Sequence, residues 1–240
     1  MIIESLLDTD SYTFSQQQLI LHQFADTHVK YEFKCRNNVD LSFHVEQINK
    51  EIDHLCLLSF TLDELEYLRT IYYLKKDYID FLEDFSLKRR FINVSVVEGK
   101  LSIIIEGNWL NCVMFEVPVL AIVQEIYMLS LTKDVIARSR CLNIGFDKYD
   151  TKMDYLHSQI EEKKLDIKFS DFGTRRRFSR EWHFLIVKLL AQSPLANGFF
   201  TGSSNVLLSK NLKWVKGCEY FTRWVIERSQ PITHFLIKPN

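Results

Sequence analysis

The amino-acid sequence predicts an α/β protein: a mixed α/β N-terminal domain (an α+β pattern) over residues 1–121, then the first strands of an incomplete, irregular parallel βα barrel over residues 122–213. Residues 214–240 read as a divergent C-terminal segment. Three observations carry this prediction. The chain has 240 residues, 47% of them hydrophobic, enough to bury a large core. Its first half mixes strand and helix periodicities irregularly, as α+β domains do. Beyond about Ile122 the rhythm becomes strand, helix, strand, helix, the pattern of a parallel sheet or barrel.

Taken in order, Asp8, Thr9 and Asp10 precede a helix-forming run from Ser11 to Phe24, and one of the three is expected to cap it. Val29, Tyr31, Phe33 and Cys35 alternate with Lys30, Glu32 and Lys34, which is strand periodicity. Val39–Leu57 and Thr61–Phe85 read as helical, and Thr61 with Glu64 has capping-box spacing. Phe91–Val97 and Leu101–Ile105 flank Glu98-Gly99-Lys100 as a hairpin, and a short strand is expected near Cys112–Val117. Helical sequence follows from Ile122 to Leu131 and on through Lys164. Leu165, Ile167 and Phe169 then alternate as a strand, Phe178 to Leu189 has helical spacing, Gly198–Thr201 reads as a second strand, and Ser203–Lys210 opens the next helix.

Bulk properties narrow the function. The formal net charge of -1 argues against general nucleic-acid binding, which calls for a basic excess. The apolar stretch Val113–Leu129 is interrupted by Glu116, Pro118, Gln124 and Glu125, so a core element rather than a membrane span is expected. Five cysteines, at 35, 56, 112, 141 and 218, show no metal-ligand spacing, and no metal site is assigned. An odd count and an N-terminus without a signal-like pattern suggest a reducing, cytoplasmic setting.

The informative segment is Asp171-Phe172-Gly173-Thr174-Arg175-Arg176-Arg177-Phe178-Ser179. Three arginines fall between a predicted strand and a predicted helix, where the helix dipole is already positive. A bound anion would relieve that crowding, and guanidinium geometry matches carboxylate or phosphate. The alternative is that the arginines point to solvent or pair with acids such as Glu181. Phe172 is either a stacking platform or core. Phe199-Phe200-Thr201-Gly202-Ser203-Ser204-Asn205 could cradle a phosphate with its backbone or be an ordinary turn.

These segments, with Leu6-Leu7-Asp8-Thr9-Asp10-Ser11-Tyr12, Glu32-Phe33-Lys34-Cys35-Arg36 and Trp109–Ala121, resemble the bacterial nicotinate phosphoribosyltransferases from about Ser5 to about Lys213. The resemblance implies a type II phosphoribosyltransferase fold. It also implies a reaction in which nicotinate and phosphoribosyl pyrophosphate give nicotinate mononucleotide and pyrophosphate in NAD biosynthesis. ATP and Mg2+ would drive the reaction through a phosphohistidine, and the enzyme would work as a homodimer. By the same resemblance, Tyr12 reaches the nicotinate pocket of the neighbouring subunit, Phe172 stacks on the pyridine ring, and Arg175 meets the substrate anions. Thr174 and Arg177 join the substrate-binding set, and Gly202, Ser203, Ser204 and Asn205 line the phosphate region. A related transferase for nicotinamide or quinolinate is the neighbouring possibility, which the arginine turn disfavours.

Two departures bear on activity. The family's phosphohistidine pattern, Gly-Thr-x-x-His-Glu, has no counterpart: the nearest segment, Trp214 to Phe221, places Cys218 there, and His234 fits no family role. From Asp166 onward 75 residues remain, whereas a complete βα barrel takes about 250. The chain is therefore expected to be a truncated or frame-disrupted front portion with doubtful activity of its own. The alternative to an enzyme is an inactive fragment that binds ligand or dimerises with a full-length subunit.

Overall fold

A computed structural model describes residues 1–35, 39–164, 168–194, 196 and 199–213. Arg36, the start of the 165–169 strand, Gly198, and the whole 214–240 segment with Cys218 and His234 lie outside the described residues.

The first helix, α1 (Ser11–Gln23), buries Phe14, Gln17 and Ile20 on one face. A short strand, β1 (His28–Glu32), turns Val29 and Tyr31 inward. In α2 (Val45–Leu55), Ile48, Ile52 and Leu55 recur at helical spacing and are buried. The stretch expected as one helix from Thr61 to Phe85 is two, α3 (Leu62–Arg69) and α4 (Lys76–Glu83). Tyr78, Ile79 and Leu82 of α4 join the core.

The capping box at α3 is present: Glu64 N donates to Thr61 Oγ1 at 3.3 Å, and Thr61 N donates to the Glu64 carboxylate at 2.8 Å. Glu64 also accepts from Ser5 Oγ, tying the N-terminal segment to this helix. Thr61→Ala is expected to cost about 1 kcal/mol, read as a lower urea midpoint with unchanged slope.

The predicted hairpin forms from β2 (Ile92–Val97) and β3 (Lys100–Asn108). Its tip, Glu98 and Gly99, has φ of 51° and 76°, the positive pair that a two-residue hairpin turn requires. With β1 on the other edge of β3, the sheet runs β1-β3-β2, antiparallel throughout.

Where a strand was expected at Cys112–Val117, the chain is helical. The turns α5 (Trp109–Cys112) and a 3-10 segment, Val113–Phe115, lead into α6 (Glu116–Leu131). A short, uniformly apolar run has no period that separates strand from buried helix, and here it is a buried helix. By length and hydropathy Trp109–Leu131 could cross a bilayer, but 67% of its most apolar window is buried against the rest of the chain. The helix α6 continues through residue 121, so one helix bridges the two expected domains. It is followed by α7 (Val135–Lys163), capped by Asp134 and largely exposed.

The second half begins its parallel sheet as expected. β4 (Phe169–Asp171) leads through a 3-10 turn, Thr174–Arg176, into α8 (Arg180–Gln192). β5 (Phe200–Ser203) pairs with β4 in parallel and is followed by α9 (Val206–Asn211). Ser179 and Asn205 cap these two helices through their side-chain oxygens. The carboxyl ends of β4 and β5 therefore lie together, each opening directly into a helix.

Candidate active site

The N-terminal segment is sewn onto those strand ends. Ser11 N donates to Ser204 O at 2.7 Å, Val206 N to Thr9 O at 3.0 Å, and Leu207 N to Leu7 O at 2.9 Å. The aspartates of Leu7-Asp8-Thr9-Asp10 complete the seam. Asn205 Nδ2 donates to Asp8 Oδ1 at 2.8 Å, and Asp10 Oδ1 accepts from Thr174 Oγ1 at 2.7 Å and Ser204 Oγ at 2.8 Å. Asp10 stands at the N-cap position of α1, yet its carboxylate caps nothing. Burial raises its pKa, with the Thr174 and Ser204 hydroxyls opposing, and Oδ2 has no hydrogen-bond partner.

This seam engages several of the residues expected to bind substrate. Thr174, Ser203, Ser204 and Asn205 are buried, and their side chains bind acceptors and donors of the chain itself. Gly202 is buried beside them in β5. The physical reason is local: the aspartate-bearing segment covers the loop, and buried carboxylates take the nearest hydroxyl and amide donors.

Arg177 is engaged within the chain as well. It is 4% exposed, and its guanidinium is taken up within the chain. Nη1 lies 2.8 and 2.9 Å from the two oxygens of Asp8, Nε donates to Glu125 Oε2 at 3.2 Å, and Nη2 reaches Ile2 O. Glu125 accepts a further bond from Arg180 N, at the start of α8. Thus Arg177 joins the N-terminal segment, α6 and α8. A ligand would have to displace two carboxylates to reach it.

What remains open to solvent is smaller and sharper. Phe172 follows β4 and is 37% exposed. Its ring lies nearly parallel to that of Tyr12, with centroids 6.2 Å apart and planes 12° apart. Tyr12 sits beside Phe172 of its own chain. Tyr12 Oη donates to Glu116 Oε1 at 3.4 Å, and Arg175 Nη1 approaches the same oxygen at 3.3 Å. So Tyr12, Phe172 and Arg175 come together, with Glu116 as the counter-ion. Burial, then the Glu116 charge, raises the Tyr12 phenol well above its ordinary range, leaving it a neutral donor.

Burial also raises the Glu116 carboxyl, with Arg175 opposing. A carboxyl whose folded pKa exceeds its unfolded value contributes stability in acid that is lost as pH rises through the folded pKa. Glu116→Gln keeps an acceptor for Tyr12 and does not titrate. It is expected to exceed the unmodified chain in thermal stability at neutral pH, with the advantage fading as pH falls through the raised folded pKa and gone by about pH 4. An unchanged difference across that range would contradict this.

Beneath the turn, Asp171 gathers three elements. Oδ1 accepts from Gly173 N at 3.1 Å, and Oδ2 accepts from Ser203 Oγ at 2.6 Å and lies 2.8 Å from His183 Nε2 on α8. Burial alone would raise this carboxyl, but the His183 hydrogen bond and charge, with Ser203 and Gly173 N, hold it below the ordinary range. Asp8, Asp10, Glu116, Glu125 and His183 were not among the expected site residues. Asp8 and Asp10 were legible as helix-cap candidates, and the two glutamates as interruptions of an otherwise apolar stretch.

Two family models match the chain: the nicotinate phosphoribosyltransferase (NAPRTase) N-terminal domain over residues 7–124 and the nicotinate phosphoribosyltransferase (NAPRTase) family over residues 167–236. The chain belongs to the nicotinate phosphoribosyltransferase family. The second match continues past Lys213, further than the motifs by themselves carried the resemblance. Among curated nicotinate phosphoribosyltransferases, that of Xylella fastidiosa strain Temecula1 is 41% identical over 213 residues, covering 87% of this chain and 52% of the relative. That of Acinetobacter baylyi is 42% identical over 220 residues, with 88% and 52% covered. The solved nicotinate phosphoribosyltransferase of Vibrio cholerae superposes with a TM-score of 0.80 at 29% identity, covering 89% of this chain and 50% of that one. The Porphyromonas gingivalis enzyme gives 0.73 at 30% identity, with 88% and 52% covered. The chain spans about half the length of the curated relatives it matches. In nicotinate phosphoribosyltransferase terms, the described residues comprise the N-terminal domain and the opening parallel strands, and the Tyr12–Phe172–Arg175 corner lies where they meet.

Proposed function

We propose that this chain supplies the nicotinate-binding corner of a nicotinate phosphoribosyltransferase. The observation that supports the reading is the pairing of a ring platform with a cation on one turn: Phe172 and Arg175 flank Gly173-Thr174 at the carboxyl end of a parallel strand, with the Tyr12 ring alongside. Ligands of parallel βα folds bind at that end. Nicotinate is a flat ring bearing a carboxylate. Its ring would lie on Phe172 and Tyr12, and its carboxylate would meet the Arg175 guanidinium. Held so, the pyridine nitrogen could attack the anomeric carbon of phosphoribosyl pyrophosphate as pyrophosphate departs. Arg177, Thr174 and the Ser203–Asn205 loop shape the corner without touching ligand.

Coupling to ATP with Mg2+, a homodimer and a cytoplasmic location belong to the same proposal, on the strength of family resemblance. Among the described residues no three His, Cys, Asp or Glu gather as a metal donor set. The position nearest the family's phosphohistidine, Cys218, is outside them. No step through ATP or metal is therefore derived from these residues.

The second reading is a chain that binds nicotinate or pairs with a full-length subunit without turning over. It is favoured by the cysteine, Cys218, at the nearest match to the family's phosphohistidine. Titration of purified chain with nicotinate and with nicotinamide, beside a steady-state assay for nicotinate mononucleotide, separates the readings. Preferential nicotinate binding with little or no turnover is expected. Robust ATP-coupled turnover would remove the second reading, and equal indifference to both bases would remove the binding assignment.

A further inference from the structure

We propose that His183 is a positioning residue for the ligand turn: through Asp171 it fixes Phe172 and Arg175 against Tyr12 and Glu116. His183 is buried in α8, away from the open corner, and its Nε2 lies 2.8 Å from Asp171 Oδ2. Its other nitrogen, Nδ1, is buried with no hydrogen-bond partner among the described residues. A buried, unpartnered imidazole nitrogen is destabilising. If the ring merely filled space, an apolar side chain of similar size would do so without that cost. The polar side chain is explained by the one bond it makes, from Nε2–H to the carboxylate.

That bond acts on the ligand turn by direct mechanical contact. Asp171 holds the backbone of Gly173 through Oδ1, so both neighbours of Phe172 are tied to one carboxylate. The fit is tight: a Cβ on Gly173 would lie 2.8 Å from Asp171 Oδ1 and 3.1 Å from His183 Nε2. The turn therefore rests on the Asp171–His183 pair, and a displacement of either moves Phe172 and Arg175. Ser203 Oγ donates to the same Asp171 oxygen as His183, so the ends of β4 and β5 and the body of α8 share one anchor.

The inference rests on the nicotinate reading only for the identity of the ligand, so its test has a ligand-free arm. In the purified chain with labelled tyrosine and phenylalanine rings, proton NMR contacts between Tyr12 and Phe172 report the geometry of the turn. His183→Phe, which keeps a ring and removes the donor, is expected to lose that contact and to weaken nicotinate binding about tenfold. His183→Gln, whose amide nitrogen can stand in for Nε2, is expected to keep the contact and bind within about threefold of the unmodified chain. Should His183→Phe not fold, His183→Asn, whose amide is too short to reach Asp171, gives the same reading. A retained ring contact in the donorless variant would overturn the inference. So would a His183→Gln that fails as badly as His183→Phe, since ring bulk would then be what matters. If the unmodified chain does not bind nicotinate, the proposed function fails alone, and the ring contact still decides the role of His183.

Discussion

Replacing Arg177 with alanine is expected to remove about 3–5 kcal/mol of stability, a large share of the roughly 5–15 kcal/mol that holds an ordinary domain together. The cost arises mainly from what is left behind. Asp8 and Glu125 are both buried against Arg177, and without it two carboxylates face the interior with no compensating cation. Their remaining donors, Asn205 Nδ2 and Arg180 N, are neutral. Urea denaturation followed by tryptophan fluorescence measures the loss. A companion variant tests the cause: Asp8→Asn and Glu125→Gln added to Arg177→Met removes all three charges together and is expected to recover much of the stability. If the single variant unfolds at the same urea concentration as the unmodified chain, the cluster is not the strut described above.

Arg175→Ala is expected to weaken nicotinate binding on the order of ten- to a hundredfold, while leaving the fold nearly as stable. A charge-assisted hydrogen bond to the ligand's carboxylate is lost. In addition, Glu116, no longer paired with Arg175, turns a negative charge toward the same carboxylate. The guanidinium is partly exposed, so its ion pair with Glu116 is screened and adds little to stability. Calorimetric titration of both chains checks this. The expected signature is a carboxylate-specific loss: nicotinamide, which lacks the carboxylate, should bind the two chains with similar affinity. An unchanged nicotinate affinity would mean that the ligand's acid group sits elsewhere.

The contrast between Arg175 and Arg177 shows where sequence reasoning stopped. Both were expected to meet substrate, because a run of guanidinium groups before a helix calls for negative charge. The negative charge exists for each of them, but for Arg177 it is supplied by the chain itself, from Asp8 and Glu125. These partners are 169 and 52 residues away in sequence. Asp8 was legible only as a possible helix cap, since local pattern cannot show that a segment so far upstream folds over the strand ends. The Ser203–Asn205 loop was ambiguous for the same reason: small polar residues after a strand suit a phosphate as well as they suit two buried aspartates. Phe172 was legible either as core or as a stacking platform, and the structure leaves it 37% exposed beside Tyr12.

By itself the sequence determined the period-bearing parts of this protein. The β2–β3 hairpin, the capping box at Thr61, the parallel pair of β4 and β5, and the arginine turn between strand and helix all follow from spacing within a few residues. Tertiary structure alone decided how buried charge is distributed: which arginine is neutralised inside, which remains open to a ligand, and that His183 stands behind Asp171. The physical reason is range. Periodicity and capping are properties of neighbouring residues, whereas a carboxylate taken out of water binds whichever donors packing brings within about 3 Å, however distant along the chain.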